Sequence, residues 1–460
     1  MKLRIAIILV IIVIIAGVGL LIYAWKMQPE LVEVYPQDGA VNIQATTSIR
    51  LVFSRPMQAE SVNRRIKIEP AMEGTFSWEG NSLTFTPGQP WPGGQAIHVV
   101  MASGARAASW LSFPLKQQSW SFSTSSEELA YLWPSTGEAD LYTLNPLNGD
   151  IYRITHAMGV FDYSVSSSGM VFYFSAGNSL GGTSLYRVNR AELLDSADAV
   201  YPVEQLLDCG AAQCRLPVIS SDDRYLAYEY ILPSADVAST PAQIWMVNLT
   251  SRQTEPIGLE MHETVQPSWS TTGLLAYYDR TSQGYEIYNL QNQERIFLPN
   301  QTGQPGVWSP DGAYYLAPEV TYQRFPGGTE AGISQLIRYD VQSEVGENLS
   351  GNDFVEDVEP AYTDDGSMII FTRKFLDAQN WSLGRQVWTM NADGTGAQAI
   401  TSEADYNHYD LAVSRDNQLI AYVRFNQAKL ADAPELWMVG VDGSNPVQLV
   451  IEGYAPIWIP

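Results

Sequence analysis

The chain has 460 residues, long for one domain and suited to two or three. Hydrophobic residues make up 45% and charged residues 17%, with 35 Gly, 26 Pro, 13 Trp, 25 Tyr and 14 Phe, which is too apolar for disorder and points to an all-β chain. The net charge of -24 speaks against nucleic acid or anionic lipid headgroups as the main partner.

The charge is unevenly spread. Residues 1–28 carry Lys2, Arg4 and Lys26 and no acid; residues 29–126 carry seven basic and seven acidic residues; residues 127–460 carry 16 basic and 43 acidic residues, a charge of -27. From Ile5 to Trp25 there are 21 uncharged residues, mostly Ile, Val and Leu, enough for about 30 Å of helix across a bilayer. The following YAWKMQPE has no small-x-small cleavage site, so residues 1–28 read as a stub and an uncleaved anchor (helix about 5–25) rather than a signal peptide. Lys2 and Arg4 before the span, against Glu30 and Glu33 after it, predict a cytoplasmic amino terminus and an extracytoplasmic remainder, periplasmic or at the cell surface.

Residues 29–126 hold seven short alternating runs, LVEVYP, SIRLVFS, RIKIEP, GTFSW, SLTFTP, AIHVVMAS and SWSFST, which predict an immunoglobulin-like sandwich with a hairpin turn at Glu79–Asn81. YPQDGAVNI, LVFSRPM, TFSWEGNSLTFTP and WSFST resemble the bacterial Ig-like domains of the SbsA type. That resemblance implies a spacer or display module and no chemistry. His98 reads as structural, whereas Trp91 and Trp110 are free to act as contacts.

Residues 127–460 repeat one pattern: an apolar residue, Ser or Thr, a polar turn, then a strand ending in an aromatic. The copies are YSVSSSGMVFYF, PVISSDDRYLAYEY, PSWSTTGLLAYYD, VWSPDGAYYLAP, PAYTDDGSMIIFTRK and LAVSRDNQLIAYVRF, and each is followed by a third strand such as QIWMVNL or QVWTMNADG and a variable fourth. Four antiparallel strands per unit predict a β-propeller. Residues 128–155 lack a first strand and GYAPIWIP supplies one, so pairing 455–460 with 128–155 gives a seventh blade; six blades is the alternative if the 162–206 unit is not one. VWSPDG at 307–312 and QVWTMNADGTGAQAIT at 386–401 resemble the repeats of TolB-like (WD40-like) propellers. TolB itself has six blades, another amino-terminal domain and no anchor, so the resemblance carries over no Tol-system role. The Trp residues at 245, 269, 308, 388, 437 and 458 recur at matching positions and read as core.

No Walker loop, HExxH or dinucleotide fingerprint occurs, so catalysis is the less favoured reading and no catalytic residue is assigned. His156, His262 and His408 fall in links that lead from an outermost strand to the next innermost one, on the face around the channel mouth. Their convergence on a transition metal resembles the arrangement in propeller-fold oligogalacturonate lyases, and sets an alternative: a metal-dependent polysaccharide lyase or hydrolase. The same links are acidic. Asp162, Glu263, Asp353, Glu356, Asp357, Glu359, Asp405 and Asp410 form a candidate binding face for a protein or glycan at the cell envelope, or for Ca²⁺, with Arg215 nearly the only base among them. No cofactor is predicted. Cys209 and Cys214 are close enough for a local disulfide. The favoured function is a membrane-anchored, non-catalytic scaffold that binds such a partner.

Overall fold

A computed structural model of the chain describes residues 2–43, 47–88, 91–109, 113–124, 127–192, 200–233, 241–324, 328, 330–351 and 354–460, with the side chains of 2–6 and Asn42 set aside. The chain divides into two compact units, residues 1–126 and 127–460.

The first unit begins with the helix Lys2–Lys26, and Ile7–Lys26 is, among the described residues, the one helical stretch long and apolar enough to cross a membrane. After it come two four-stranded sheets. One has the order Leu31–Tyr35, Ile49–Phe53, Ser82–Pro87, Gly74–Glu79; the other has Ala40–Ile43, Gln118–Thr124, Ala96–Met101, Ile66–Glu69. Alternation places Ile49, Leu51, Phe53, Leu83, Phe85, Ile97, Val99 and Phe122 in one core between them. Glu79 pairs with Ser82 around Gly80, whose positive φ of 58° is the conformation a two-residue hairpin turn needs.

Two details depart from the sequence reading. An eighth strand, Ala40–Ile43, is present; it is short and pairs in parallel with Gln118–Thr124, so no hairpin turn announces it. Trp91 is no surface contact, because its ring is fully buried against Phe85 and Phe122 and its Nε1–H donates to the Thr47 carbonyl at 2.7 Å. Trp110 lies outside the described residues.

The second unit contains seven four-stranded antiparallel sheets. Their innermost strands are, in chain order, Val160–Val165, Gln213–Ile219, Thr264–Trp269, Val307–Trp308, Val355–Tyr362, Tyr406–Val413 and Tyr454–Ile459. Six sheets are contiguous in sequence, including the one built from Val160–Val165, Val171–Gly177, Thr183–Asn189 and Val203–Leu207. The remaining sheet pairs Tyr454–Ile459 with Glu128–Trp133, followed by Asp140–Leu144 and Ile151–Arg153; we number it first because its other strands open the unit.

A separate hydrophobic cluster lies between each successive pair of sheets. A further cluster joins the seventh to the first through Leu129, Tyr131, Val423, Leu436 and Trp458, so the sheets close into a propeller. Each sheet buries apolar side chains against its neighbours, and a single repeat alone would leave them wet.

The repeated turn has a local cause. Ser309 Oγ donates to Asp311 at 2.6 Å and accepts from the Tyr314 N–H, while Asp311 accepts from the Ala313 N–H, and the same arrangement recurs at Ser220/Asp222, Thr363/Asp365 and Ser414/Asp416. The innermost-strand tryptophans have a second repeated task. Trp269, Trp308 and Trp458 donate their indole N–H to the carbonyls of Val218, Ser268 and Ala412 on the preceding sheet. Trp388 and Trp437 differ: they lie on third strands, half-buried, under the guanidinium groups of Arg373 and Arg424.

Candidate binding face at the channel mouth

Neighbouring strands in each sheet are antiparallel, so the hairpin between second and third strands and the link into the innermost strand leave from the same end of the sheet. All seven innermost strands run side by side in the same sense, which gathers these segments around one mouth of the channel they enclose.

Most innermost strands bulge near that mouth. Leu216, Gln266, Glu359, Asp410 and Ala455 all have φ near +50° and sit where the register with the second strand slips. A bulge turns a backbone N–H out of the ladder, and carboxylates of the preceding sheet receive several of them. Asp162 accepts from Leu216 (3.3 Å), Glu229 from Gln266 (2.8 Å), Glu359 from Asp410 (3.0 Å) and Asp410 from Ala455 (3.2 Å). Part of the acidity at the mouth is therefore structural.

The remaining acids separate into paired and unpaired groups. Asp162 lies 2.7 Å from Arg215, Glu263 2.7 Å from Arg280 and Glu356 3.1 Å from Arg385. Asp357 is no part of an exposed face: it is fully buried and held in two hydrogen bonds, of 2.7 and 2.6 Å, by Arg373. Glu356 before it faces the other way and is half-exposed, and the strand's period of two carries Asp357 in. Asp405 is exposed, and Asp353 lies outside the described residues. Arg373 lies on a second strand and Arg280 and Arg385 in second-to-third-strand hairpins, and this local neutralisation escapes a reading confined to the links.

Glu359 and Asp410 differ from the rest. Both are solvent-accessible, and neither forms an ion pair among the described residues. They line a concave cavity of about 450 Å³ with Gln304, Pro305, Arg385 and Leu411. Desolvation by the enclosing wall, and then the Asp410 charge, push Glu359 up to about 7; desolvation also raises Asp410.

The three histidines occupy separate surroundings. His156 is exposed in the turn after Ile151–Arg153. His262 Nδ1 lies 2.6 Å from the buried Asp279 carboxylate. His408 is fully buried; its Nδ1–H donates to the Arg385 carbonyl at 2.8 Å and its Nε2 has no hydrogen-bond partner. Among the described residues no three His, Cys, Asp or Glu side chains group so as to hold a metal.

Burial lowers His408 to about 4, from the ordinary 6.5. Between those values the unfolded chain binds the proton and the folded one does not, so this histidine makes stability fall as pH drops from 6.5 to 4. The unfolding free energy of the parent, measured against His408→Gln, should fall by about 3 kcal/mol over that interval. Parallel pH profiles in urea titrations would show that the buried imidazole is not the cause.

Around the carboxylates the face carries large apolar side chains that the sequence reading passed over. Trp133, Leu180, Leu232, Tyr322, Trp381 (55% exposed) and Leu430 (76% exposed) lie in or beside six of the seven second-to-third-strand hairpins, and Met261 (82% exposed) lies in a link. Burying them against the protein itself would stabilise it, so their exposure at one end of the unit is notable. Trp381 in DAQNWSLG and Leu430 in NQAKLADAP are visible in the sequence as lone bulky residues within polar turns. Cys209 and Cys214 are joined in a disulfide at the link between the second and third sheets, where Cys214 also exchanges backbone hydrogen bonds with the Thr183 hydroxyl.

Residues 26–124 match the family model described as a bacterial Ig-like domain. The propeller fold is similar to that of TolB from Acinetobacter baumannii, at 10% identity and a TM-score of 0.44, over 86% of this chain and 83% of that one. It is also similar to an oligogalacturonate lyase from Vibrio parahaemolyticus, at 10% identity and a TM-score of 0.49, over 75% of this chain and 98% of that one. An oligogalacturonate lyase in complex with manganese is 14% identical with a TM-score of 0.47, over 66% and 82% of the two chains. At these identities the likeness concerns the fold, and no residue role is transferred. No curated protein matches the chain.

Proposed function

We propose that the protein is a membrane-anchored, extracytoplasmic scaffold whose seven-bladed propeller binds a protein or glycan partner at the cell envelope through its channel-mouth face, without catalysis. In this reading residues 1–28 are the stub and anchor, 29–126 the Ig-like spacer and 127–460 the propeller. Lys2 and Arg4 keep the amino terminus cytoplasmic by the positive-inside rule.

The observation that carries the reading is the set of exposed Trp, Tyr and Leu side chains in or beside second-to-third-strand hairpins, with Met261 in a link, at the same end of the unit as the carboxylates Glu359 and Asp410. Large apolar anchors around a polar centre suit partner contact. The partner's chemistry is expected to include cationic groups, given the charge of -27 on residues 127–460.

The test is retention of solubilised envelope components on the immobilised full chain, comparing Trp381→Ala/Leu430→Ala with Leu147→Ala/Val345→Ala, whose side chains are exposed in third-to-fourth-strand turns at the opposite end. The first pair should weaken retention about tenfold or more, and the second should leave it unchanged. Equal losses from both pairs, or none, would overturn the assignment of the face. Retention that survives protease digestion of the envelope fraction identifies the partner as a glycan.

A further inference from the structure

Six acids of the mouth and its surroundings have an arginine within ion-pairing distance: Asp140, Asp162, Glu263, Glu356, Asp357 and Glu403. Glu359 and Asp410 have none, although they sit on adjacent innermost strands and are joined by the Asp410 N–H to Glu359 Oε2 bond of 3.0 Å. The nearest cation, Arg385, is committed to Glu356 at 3.1 Å. Two carboxylates so placed cannot both ionise without like-charge repulsion in a partly enclosed wall.

We propose that Glu359 and Asp410 form a proton-sensitive clasp in the channel wall: while either is protonated the contact of the sixth, seventh and first sheets carries no like-charge repulsion, and ionisation of both sets two like charges against each other across it. The seam runs on from this pair. Asp410 Oδ2 accepts the Ala455 N–H on the first sheet, and the Ala455 carbonyl accepts the Tyr163 hydroxyl on the second at 2.6 Å.

The groups facing the pair are few. Arg385 faces Glu359 from the sixth sheet; Tyr409 on the seventh sheet faces both; Tyr454 on the first and Tyr163 on the second face Asp410; the fifth sheet contributes only the uncharged Gln304 and Pro305. Burial, reinforced by these carboxylates, keeps the tyrosines protonated, with Tyr409 pushed up to about 12. Across the neutral range only the carboxyl pair changes charge there.

A carboxyl raised in the folded state adds stability that is complete below its unfolded value and is lost as pH rises through the folded one, here about 7 for Glu359. Glu127, also raised to about 7 by burial, is common to every variant and cancels in differences. The experiment is the melting temperature of the full chain in detergent from pH 4 to 8.5, for the parent, Glu359→Gln and Asp410→Asn. Glu359→Gln retains an acceptor oxygen for the Asp410 N–H.

Either variant should match the parent near pH 4 and exceed it by a few °C at pH 8.5, the double variant should add nothing to the singles, and Glu263→Gln, whose partner Arg280 does not face the pair, should run parallel to the parent. Parallel curves for both Glu359→Gln and Asp410→Asn, or an equal flattening by Glu263→Gln, would overturn the clasp. No partner is needed for this measurement, so it stands or falls apart from the binding face.

Discussion

Removal of residues 453–460 is expected to abolish cooperative unfolding of the propeller unit. The strand Tyr454–Ile459 is hydrogen-bonded to Glu128–Trp133 through the pairs Tyr454 with Leu132, Ile457 with Ala130, Trp458 with Leu129 and Ile459 with Glu128. Trp458 (6% exposed) and Ile459 (1% exposed) fill two different inter-sheet clusters, one on each side of the first sheet. Deleting a buried Trp costs about 3–5 kcal/mol and a buried Ile about 2–5 kcal/mol. Their sum approaches the whole stability of a domain, about 5–15 kcal/mol, before the lost ladder is counted. The truncated chain should melt without a sharp transition, bind a hydrophobic dye and self-associate through the bared edge of Glu128–Trp133. Trp458→Ala alone should cost about 3–5 kcal/mol in urea titrations. A truncated chain that melts cooperatively within a few degrees of the parent would show that the ring does not depend on this strand.

Asp357→Ala is expected to destabilise the unit by about 3–5 kcal/mol, because it leaves the guanidinium of Arg373 buried without its carboxylate. Arg373 also lies over the rings of Phe371 and Trp388, at 5.1 and 5.0 Å, and these contacts recover only a part. An arginine cannot escape by losing its proton, so the penalty should hold across the pH range. Asp357→Leu/Arg373→Met should recover most of it, since an apolar pair of similar volume often replaces a buried ion pair without loss. The adjacent Glu356 is the internal control: it pairs with Arg385 in a half-exposed position, and Glu356→Ala should cost no more than about 1 kcal/mol. Equal losses at 356 and 357 in denaturant titrations would refute the distinction.

That pair of neighbours also marks how far the sequence could be read. Strand periodicity and the Ser-x-Asp turn foretell where a propeller strand begins, because each is enforced by hydrogen bonds between residues a few positions apart. The eighth sandwich strand, Ala40–Ile43, is held by a parallel partner some 80 residues away, and no local signal records it. The acids of the links are visible in sequence, but their counter-ions are not, since Arg280 and Arg385 reach them from hairpins and Arg373 from a second strand. Glu356 and Asp357 look alike in VEDVEP; one is half-exposed and the other buried because successive side chains of a strand face opposite ways and Asp357 meets Arg373 on the neighbouring strand. The histidines stand at different distances from their innermost strands; His156 and His262 lie in links, and His408 lies on the innermost strand itself, so they reach different surroundings.

The pairing of Glu128–Trp133 with Tyr454–Ile459 also sets a timetable. Its two strands are separated by more than 300 residues, so it is among the last contacts a growing chain can make, and distant pairings form slowly. At about 5–20 residues per second, Glu128–Trp133 waits roughly a quarter of a minute to a minute or more after its own synthesis before its partner exists. Throughout that interval one side of the first sheet has no neighbour, and any factor that escorts the nascent chain has that exposed strand to shield until residues 454–459 arrive.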